Sequence, residues 1–344
     1  MTQSQPNAQT RSRPETFEPP YDAFTSIFPE GWRDYVMGQF AVQIAPGADG
    51  DELGAALDEA LTHTPPPLHV ERVNSTDAKG YLNAVRMAYW QKASDYAEWR
   101  ANPAVAEFLG RTLTGTVGLW REVIMAPVGN LDPNGGAEHR LWGVGRHLKH
   151  VWERYHGYYG SMRDRIPNGR VPEIEGQEFT LHPQGEVASK GERLAVELPH
   201  NLCFIRGTFG WRNCPPDARQ SFTDELMPVY ERGVLFLRDN PVEASCISAR
   251  LSTVVDGEPL TGLDAETLAW FTSLKTLEAW THSHATHAAI FNTARDIALR
   301  YPANANLDLG HEVVVVPQGG VDAEYNNCHP ETGFLRFFPS RIAA

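Results

Sequence analysis

The apolar residues in the first part of the chain follow two different spacings. In residues 51–61 and 94–109 they recur every three or four positions, which is the spacing of an amphipathic helix. Runs typical of β-strands occupy residues 35–44, 81–90 and 120–128, with a further strand in the LHVERV run before Tyr81. The pattern predicts the order strand, helix, strand, helix, strand.

The second part of the chain repeats this order. Its predicted elements are a strand at 201–211, a helix at 217–240, a strand at 245–255, a helix at 264–300 with a break near 282–285, and a closing strand at 311–316. A duplicated β-α-β unit predicts an α+β fold in which a ferredoxin-like half is used twice. Each half alone leaves one sheet face bare, so we expect barrel-like antiparallel sheets that cover each other and carry helices outside.

This repetition divides the chain into four stretches. Residues 1–30 have little apolar content and predict a flexible N-terminal arm able to pack on a partner subunit. Residues 31–129 and 199–344 are the two predicted halves. The connecting segment, 130–198, is rich in glycine, proline and charge and contains the motif GSMRDR. Connections of this length tend to carry function.

Composition narrows the class of protein. The chain has 344 residues, of which 42% are hydrophobic, and a formal net charge of −13 with no dense basic run. The length and the hydrophobic content allow a large core. The negative charge makes nucleic acids and anionic membranes poor partners. No apolar run has the length of a transmembrane helix, and the polar N-terminus lacks a signal peptide core, so we expect a cytoplasmic protein. The cysteines are scattered without a CxxC pair, which predicts reduced thiols at Cys203, Cys214, Cys246 and Cys328.

Histidines concentrate near the end of the chain. Of thirteen in total, five lie beyond residue 280, and they are His282, His284, His287, His311 and His329. When the halves are aligned, WRANPAVAEFL with WTHSHATHAAIF and WREVIMAP with GHEVVVVP, Ala106 corresponds to His287 and Arg121 to His311. The repeated scaffold does not require histidine at either place, which favours a functional site in the second half.

Simpler roles exist for each histidine. His282 and His284 can cap or solvate the predicted helix break, His329 can stabilise a turn, and His287 alone fits a core histidine. Two histidines without nearby thiolates or carboxylates do not make a closed zinc site, and HExxH is absent. One helix histidine facing an apolar pocket suits an axial haem ligand better. A b-type haem leaves no sequence signature of its own.

Several longer motifs carry a family resemblance. They are GYYGSMRDRIP (157–167), HNLCFIRGTFGW (200–211), FLRDN (236–240), W-x6-H (280–287), HEVVVV (311–316) and NNCHPETGFLRFF (326–338). In this order they resemble the haem-containing aldoxime dehydratases, of the phenylacetaldoxime dehydratase type, over nearly the whole chain. The resemblance implies a lyase that converts an aldoxime, R-CH=N-OH, to a nitrile on a ferrous haem b, and homodimers are common in the family.

The resemblance also implies residue roles. The family's proximal haem ligand matches His287, which is therefore the expected metal ligand, and its distal catalytic histidine matches His311. Its distal arginine matches Arg165, the second arginine of MRDR. On this basis His311 transfers protons and Arg165 polarises or orients the oxime oxygen. Phe291 is expected in the haem pocket, and nearby aromatic residues permit a bulky R group.

The chain departs from the family pattern in two places. The family usually has serine or threonine directly after the arginine of the IR strand, as a donor to the oxime oxygen, but this chain has Gly207, which is expected to border the haem. Thr208 would point away from the pocket unless a β-bulge at Gly207 turns its hydroxyl inward, and we expect that bulge. Water is the alternative replacement. Asp132 stands where the family has a glutamate.

Other functions remain open at this point. A haem enzyme of the same scaffold can act on another N–O or N–N bond, and a haem protein can serve as a sensor or carrier without turnover. A cofactor-free structural dimer is a further alternative.

Overall fold

The computed structural model describes residues 10–158, 161–185, 187, 189–255, 264–301 and 307–343. Its described strands are β1 (Phe24–Ile27), β2 (Asp34–Ile44), β3 (His69–Thr76), β4 (Leu82–Trp90), β5 (Val117–Pro127), β6 (Leu131–Gly135), β7 (Lys149–Trp152), β8 (Arg193–Val196), β9 (Leu202–Gly210), β10 (Cys246–Val254), β11 (Ala265–Phe271), β12 (Asp308–Val316), β13 (Val321–Asn326) and β14 (Ser340–Ile342). Its described α-helices are α1 (Asp51–Ala60), α2 (Ala93–Ala101), α3 (Pro103–Gly110), α4 (Met162–Arg165), α5 (Pro216–Ser221), α6 (Met227–Asp239), α7 (Pro241–Ala244), α8 (Leu274–Ser283) and α9 (Ala285–Arg300). The protein is a mixed α/β fold with a large antiparallel sheet.

The first half of the sheet has the strand order β5-β2-β4-β3, with antiparallel pairing throughout. Helices α1, α2 and α3 cover its outer face and bury an apolar cluster that includes Phe40, Trp90 and Trp99. The start of α3 is set locally, because Asn102 accepts a hydrogen bond from the Ala104 amide and proline occupies the first helical turn.

The second half has the corresponding order β10-β11-β9-β12, again antiparallel. Helices α6, α8 and α9 pack on its outer face over a cluster that includes Leu277, Ile290 and Ile297. α8 begins with a capping box formed by Ser273 and Thr276. Pairing of β3 with β10 joins the two halves into one sheet.

The inner faces of the two halves bury a common core. Its apolar cluster draws residues from both, among them Met87 and Trp120 from the first half and Trp270 from the second. Buried ion pairs also cross between the halves, including Arg206 Nη1 with Glu71 at 2.6 Å. The sheet therefore has helices outside and a shared core inside.

The predicted helix at 264–300 is wrong in its first part, because residues 265–271 form β11. Every residue of this strand is buried, so its AETLAWF sequence has no polar face to show a strand period, and short apolar runs of this kind are ambiguous. The predicted helix break is confirmed, since α8 ends at Ser283 and α9 begins at Ala285. The strand predicted before Tyr81 is confirmed as β3.

The N-terminal segment is more ordered than an arm. Residues 24–27 form β1, which pairs with β6 and β7, and residues 11–23 contact residues 152–164 of the same chain. The prediction of a flexible arm is therefore wrong for this part, because hydrogen bonds and ring contacts fix it in place. Residues 1–9 lie outside the described residues.

Two further features are the length of the helices and the state of the cysteines. Among the described residues, no helix is long and apolar enough to cross a membrane. The four cysteines are buried free thiols, and burial raises the pKa of each, to about 11 for Cys214 and about 12 for Cys328.

Candidate active site

Three adjacent strands of the second half place Thr267, Gly207 and His311 in one row. Register pairs Gly207 with Thr267 on one side and with His311 on the other, so all three lie on the helix-facing side of the sheet. A Cβ atom added to Gly207 would meet no atom within 4 Å. In the first half the corresponding central position is Phe40, a buried ring 5.4 Å from the ring of Trp99. At this position the first half is filled by a buried ring, whereas the second half has open space.

His311 lies beside a buried carboxylate and a buried guanidinium. Its Nε2 is 2.8 Å from Oδ2 of Asp132 and 3.0 Å from Nη2 of Arg165. Arg165 donates from Nη2 to Oδ2 of Asp132 at 2.7 Å and from Nε to both carboxylate oxygens at 3.1 and 3.0 Å. A protonated Nε2 donates to Asp132, whereas a bare Nε2 accepts from Arg165. The ring therefore keeps a partner in either protonation state.

The charges of this group are fixed by its environment. Burial alone would raise the pKa of Asp132, but the charges of Arg165 and His311 outweigh it and lower that pKa to about 2. Asp132 is thus ionised at neutral pH and offsets the charge of Arg165. The side chain of Asp132 is 0% exposed and that of Arg165 is 3% exposed, whereas that of His311 is 24% exposed. His311 is the member of the group that remains accessible to a reactant.

The position of Arg165 depends on the connecting segment. The residue ends α4, and its Nη1 donates to the Tyr155 carbonyl at 2.8 Å and to the Ser161 hydroxyl. The adjacent Asp164 accepts a hydrogen bond from the Ser12 hydroxyl at 2.6 Å. The N-terminal segment therefore helps to hold the turn that carries the arginine.

His287 lies on α9, which packs on the same side of the sheet as His311. It forms a hydrogen bond to the Thr281 carbonyl, and its ring is 4.7 Å from that of Trp280. Burial lowers the pKa of His287 to about 4 despite that hydrogen bond. The imidazole is neutral at pH 7, which is the form that binds a metal ion.

The other late histidines have structural contacts. His284 is the N-cap of α9 and accepts from the Thr286 amide, as the capping alternative predicts. His282 is exposed in the last turn of α8. His329 is buried, with Nε2 at 2.9 Å from Oδ2 of Asp77. We assign none of the three to the site.

The chain matches the model of the haem-containing dehydratases over residues 38–334. It belongs to this family. It is 30% identical over 334 residues to the phenylacetaldoxime dehydratase of Bacillus sp. (strain OxB-1), covering 95% of each chain. It is also 30% identical over 342 residues to the aliphatic aldoxime dehydratase of Rhodococcus erythropolis, covering 96% of this chain and 95% of that one.

Solved structures agree with this membership. A crystal structure of aldoxime dehydratase matches with a TM-score of 0.86 at 28% identity, covering 99% of this chain and 97% of that one. A crystal structure of aldoxime dehydratase in complex with butyraldoxime also matches with a TM-score of 0.86 at 28% identity, covering 97% of this chain and 94% of that one.

Haem is the cofactor of the haem-containing dehydratases, and the residues of the second half fit it. Nowhere in the described ranges do three His, Cys, Asp or Glu side chains gather to hold a bare metal ion. A single neutral imidazole such as His287 suffices for haem, because the porphyrin supplies the other nitrogens. On the same side of the sheet, a side chain at Gly207 would meet open space, and Ala265 and Ala269 of the neighbouring strand β11 are small.

The predicted bulge at Gly207 is wrong. β9 keeps regular pairing with β11 from residue 203 to 209 and with β12 across the same residues. Thr208 consequently points to the inner face, where it is 1% exposed and its hydroxyl donates to the Gly310 carbonyl at 3.1 Å. Its neighbour across β11, Glu266, belongs to the buried charge cluster around Arg206. Thr208 is therefore turned away from His311.

Phe291 lies one helical turn beyond His287. It lines a cleft of about 790 Å³ together with Tyr158, Asp164 and residues of α8 and the N-terminal segment. The cleft thus adjoins both the helix of His287 and the turn that precedes Arg165. The role of Phe291 beside the cofactor stays a prediction.

Two polar residues near the site were missed by the sequence analysis. His156 is 2% exposed and both its ring nitrogens have no hydrogen-bond partner in the described structure. Burial, and then the charge of Arg165, lower the pKa of His156 to about 4. Asn134 of β6 is paired with His311 of the adjacent strand β12. Its buried Nδ2 likewise has no hydrogen-bond partner among the described residues. Neither residue lies in a sequence motif that indicates a site. Asn134 is recognised only from the strand register, and His156 only from the fold of the connecting segment.

Proposed function

We propose that the protein dehydrates aldoximes to nitriles at a haem held by His287. The observation that carries this proposal is the contact of His311 with Asp132 and Arg165 in a member of the haem-containing dehydratases. Relatives with 30% identity over almost the whole chain are named for activity on phenylacetaldoxime and on aliphatic aldoximes.

The reaction transfers one proton from the oxime carbon to the departing hydroxyl and consumes none. The N–O bond of R-CH=N-OH breaks and the hydroxyl leaves as water, so His311 in its protonated form donates a proton to the departing oxygen. The neutral ring then removes the hydrogen from the oxime carbon, which forms R-C≡N and restores the imidazolium. Asp132 stabilises the positive ring by its charge and its hydrogen bond. No net proton or external electron is used.

Arg165 contributes a fixed positive charge at the same place. Its nitrogens are occupied by Asp132, Tyr155 and Ser161, so the guanidinium is oriented before substrate binds. An oriented cation in a site with little water stabilises charge that develops on the leaving oxygen. A ferrous haem bound here would supply a metal centre for the oxime and electron density for cleavage of the N–O bond. His287 is the residue that would hold it.

We further propose that the fold consists of two ferredoxin-like halves, with the haem pocket in the C-terminal half. Support comes from the strand orders β5-β2-β4-β3 and β10-β11-β9-β12, each with helices on its outer face. The open position at Gly207 occurs in the second of them. Residues 31–129 and 199–344 approximate these halves, and 130–198 supplies Asp132 and Arg165 to the site.

We also propose a homodimer in the cytoplasm. The terminal strand β7 and its surroundings expose apolar side chains, with Leu141 at 56%, Trp152 at 43% and Val151 at 36% exposure, which is typical of an interface. The buried free thiols support a reducing compartment. Light scattering of the purified protein would test the dimer.

The decisive test is an anaerobic assay for nitrile formation with haem-loaded, dithionite-reduced protein and a panel of alkyl and aryl aldoximes. Turnover with at least one of them supports the proposal. A protein that binds haem but converts no aldoxime is instead a haem sensor or an enzyme for another N–O or N–N bond. Absence of haem binding would contradict the proposal altogether.

A further inference from the structure

The position beside the distal histidine lacks a hydroxyl on its own strand. Gly207 has no side chain, and the hydroxyl of Thr208 lies on the opposite face of the sheet. A side-chain hydroxyl that donates to the oxime oxygen would therefore lie on a neighbouring element. The adjacent strand β11 and the overlying helix α6 each supply a hydroxyl here.

The two hydroxyls belong to Thr267 and Tyr230. Thr267 is paired directly with Gly207, so its side chain lies on the same face one strand away. The Tyr230 hydroxyl is hydrogen bonded to Thr267 Oγ1 and lies 3.4 Å from the Gly207 carbonyl. Thr267 and Tyr230 are 7% and 5% exposed, so both groups are nearly dry.

The hydrogens of this pair can be arranged in two ways. If Thr267 donates to Tyr230, the tyrosine hydrogen is directed to the Gly207 carbonyl. If Tyr230 donates to Thr267, the threonine hydrogen becomes available to another acceptor. Rotation of the Thr267 and Tyr230 hydroxyl groups about their C–O bonds interconverts these arrangements. A substrate oxygen above Gly207 can thus receive a hydrogen bond while Thr267 keeps its partner.

The first half indicates that the fold itself does not need this hydroxyl. In the corresponding row Arg86 takes the place of Thr267, and Phe40 that of Gly207. Arg86 binds Asp58 of α1 at 3.0 Å and has no part in a comparable hydroxyl pair. The two rows therefore differ at every position.

We propose that Thr267, oriented by Tyr230, donates the hydrogen bond to the oxime oxygen that no hydroxyl on β9 can provide. This inference rests on the proposed dehydration. Thr267 approaches the oxygen from the side of β11, and His311 approaches it from the side of β12. The threonine would act as a catalytic residue and Tyr230 as a positioning residue.

The test compares Thr267→Val, which removes the hydroxyl at nearly constant volume, with Thr208→Val as a matched control on the other face. We expect Thr267→Val to lower kcat by about tenfold to a thousandfold, the scale of one preorganised donor. Thr208→Val should leave kcat close to that of the parent protein. Tyr230→Phe should cause a smaller loss, because Thr267 keeps its own hydrogen.

Two further readouts separate a donor from a merely structural residue. The infrared stretch of carbon monoxide on the ferrous protein responds to nearby donors, so it should shift in Thr267→Val and not in Thr208→Val. Gly207→Ser combined with Thr267→Val should restore turnover, because it returns a hydroxyl to the same space. Melting temperatures of the haem-free variants check that the fold is intact.

An unchanged carbon monoxide stretch in Thr267→Val overturns the proposal, whether or not the parent protein turns over aldoximes. Parent-like turnover in Thr267→Val also overturns it, as does a loss that Gly207→Ser fails to restore. If the parent protein converts no aldoxime, the proposed dehydration fails separately. The carbon monoxide stretch then still decides whether Thr267 donates into the pocket.

Discussion

Replacing Asp132 by asparagine tests the electrostatic basis of the site. The change keeps the size of the side chain but removes the charge that faces Arg165 and His311. Arg165, with a side chain 3% exposed, is left as a buried charge without its counter-ion. Protonated His311 loses the negative charge that stabilises it, even where the amide oxygen of asparagine still accepts its hydrogen bond. We therefore expect losses in both stability and turnover.

The stability loss follows from the pKa of Asp132. The folded protein lowers that pKa from 3.8 to about 2, and a difference of this size corresponds to about 2 kcal/mol of unfolding free energy. Because the folded pKa lies below the unfolded one, the stabilisation is complete above about pH 4 and is lost as pH falls towards 2. Leaving Arg165 unpaired adds to the cost, up to about 5 kcal/mol in total.

The loss in turnover follows from Coulomb's law. Two unit charges about 4 Å apart interact by about 4 kcal/mol at an effective dielectric constant of about 20. His311 is 24% exposed, so water reduces this value, and we expect about 1–3 kcal/mol, or roughly tenfold to a hundredfold in kcat.

The chain offers a matched control in a second Asp–His pair. Oδ2 of Asp77 lies 2.9 Å from Nε2 of His329, and neither residue belongs to the proposed site. Asp77→Asn should lower the melting temperature without changing kcat. Haem content, melting temperature and kcat are the measurements. An Asp132→Asn variant with the parent's kcat would refute the role of Asp132, whatever its melting temperature.

Three other outcomes are expected. His287→Ala should lose haem or most of its haem affinity, whereas His284→Ala, which removes only a helix cap, should retain the cofactor; equal haem content in both would exclude His287 as the ligand. His311→Ala should keep haem and still bind aldoxime, as judged by the absorption spectrum, but lose about a hundredfold or more in kcat, and near-normal nitrile formation would remove it from the mechanism. Gly207→Ser should raise kcat in a protein that carries Thr267→Val, where it returns a donor to the pocket face, while Thr208→Ala in the parent protein should stay nearly silent; a large loss in Thr208→Ala would contradict the regular strand observed here.

Local sequence determined much of the fold. The 3.6-residue period of α1 and the apolar runs of β2 and β5 are properties of single elements, so they can be recognised without knowing what packs against them. The helix break at His284 was also predictable, because the side chain can cap the following turn. β11 was not, since a strand buried on both faces has no alternating pattern.

Sequence motifs also identified His287, His311, Arg165 and Asp132 as candidates. What the motifs lacked was the geometry that joins them: Asp132 and His311 are 179 residues apart and meet only because β6 pairs with β12.

The tertiary structure alone decided on which face of the sheet the Thr208 hydroxyl lies. Side-chain alternation along β9 is a local rule, but whether a bulge interrupts it depends on the hydrogen bonds that β11 and β12 offer on either side. The row of Thr267, Gly207 and His311 likewise exists only after three strands are aligned in register. Periodicity is encoded within each element, whereas register is set by contacts between elements distant in sequence, and the proposed chemistry depends on that register.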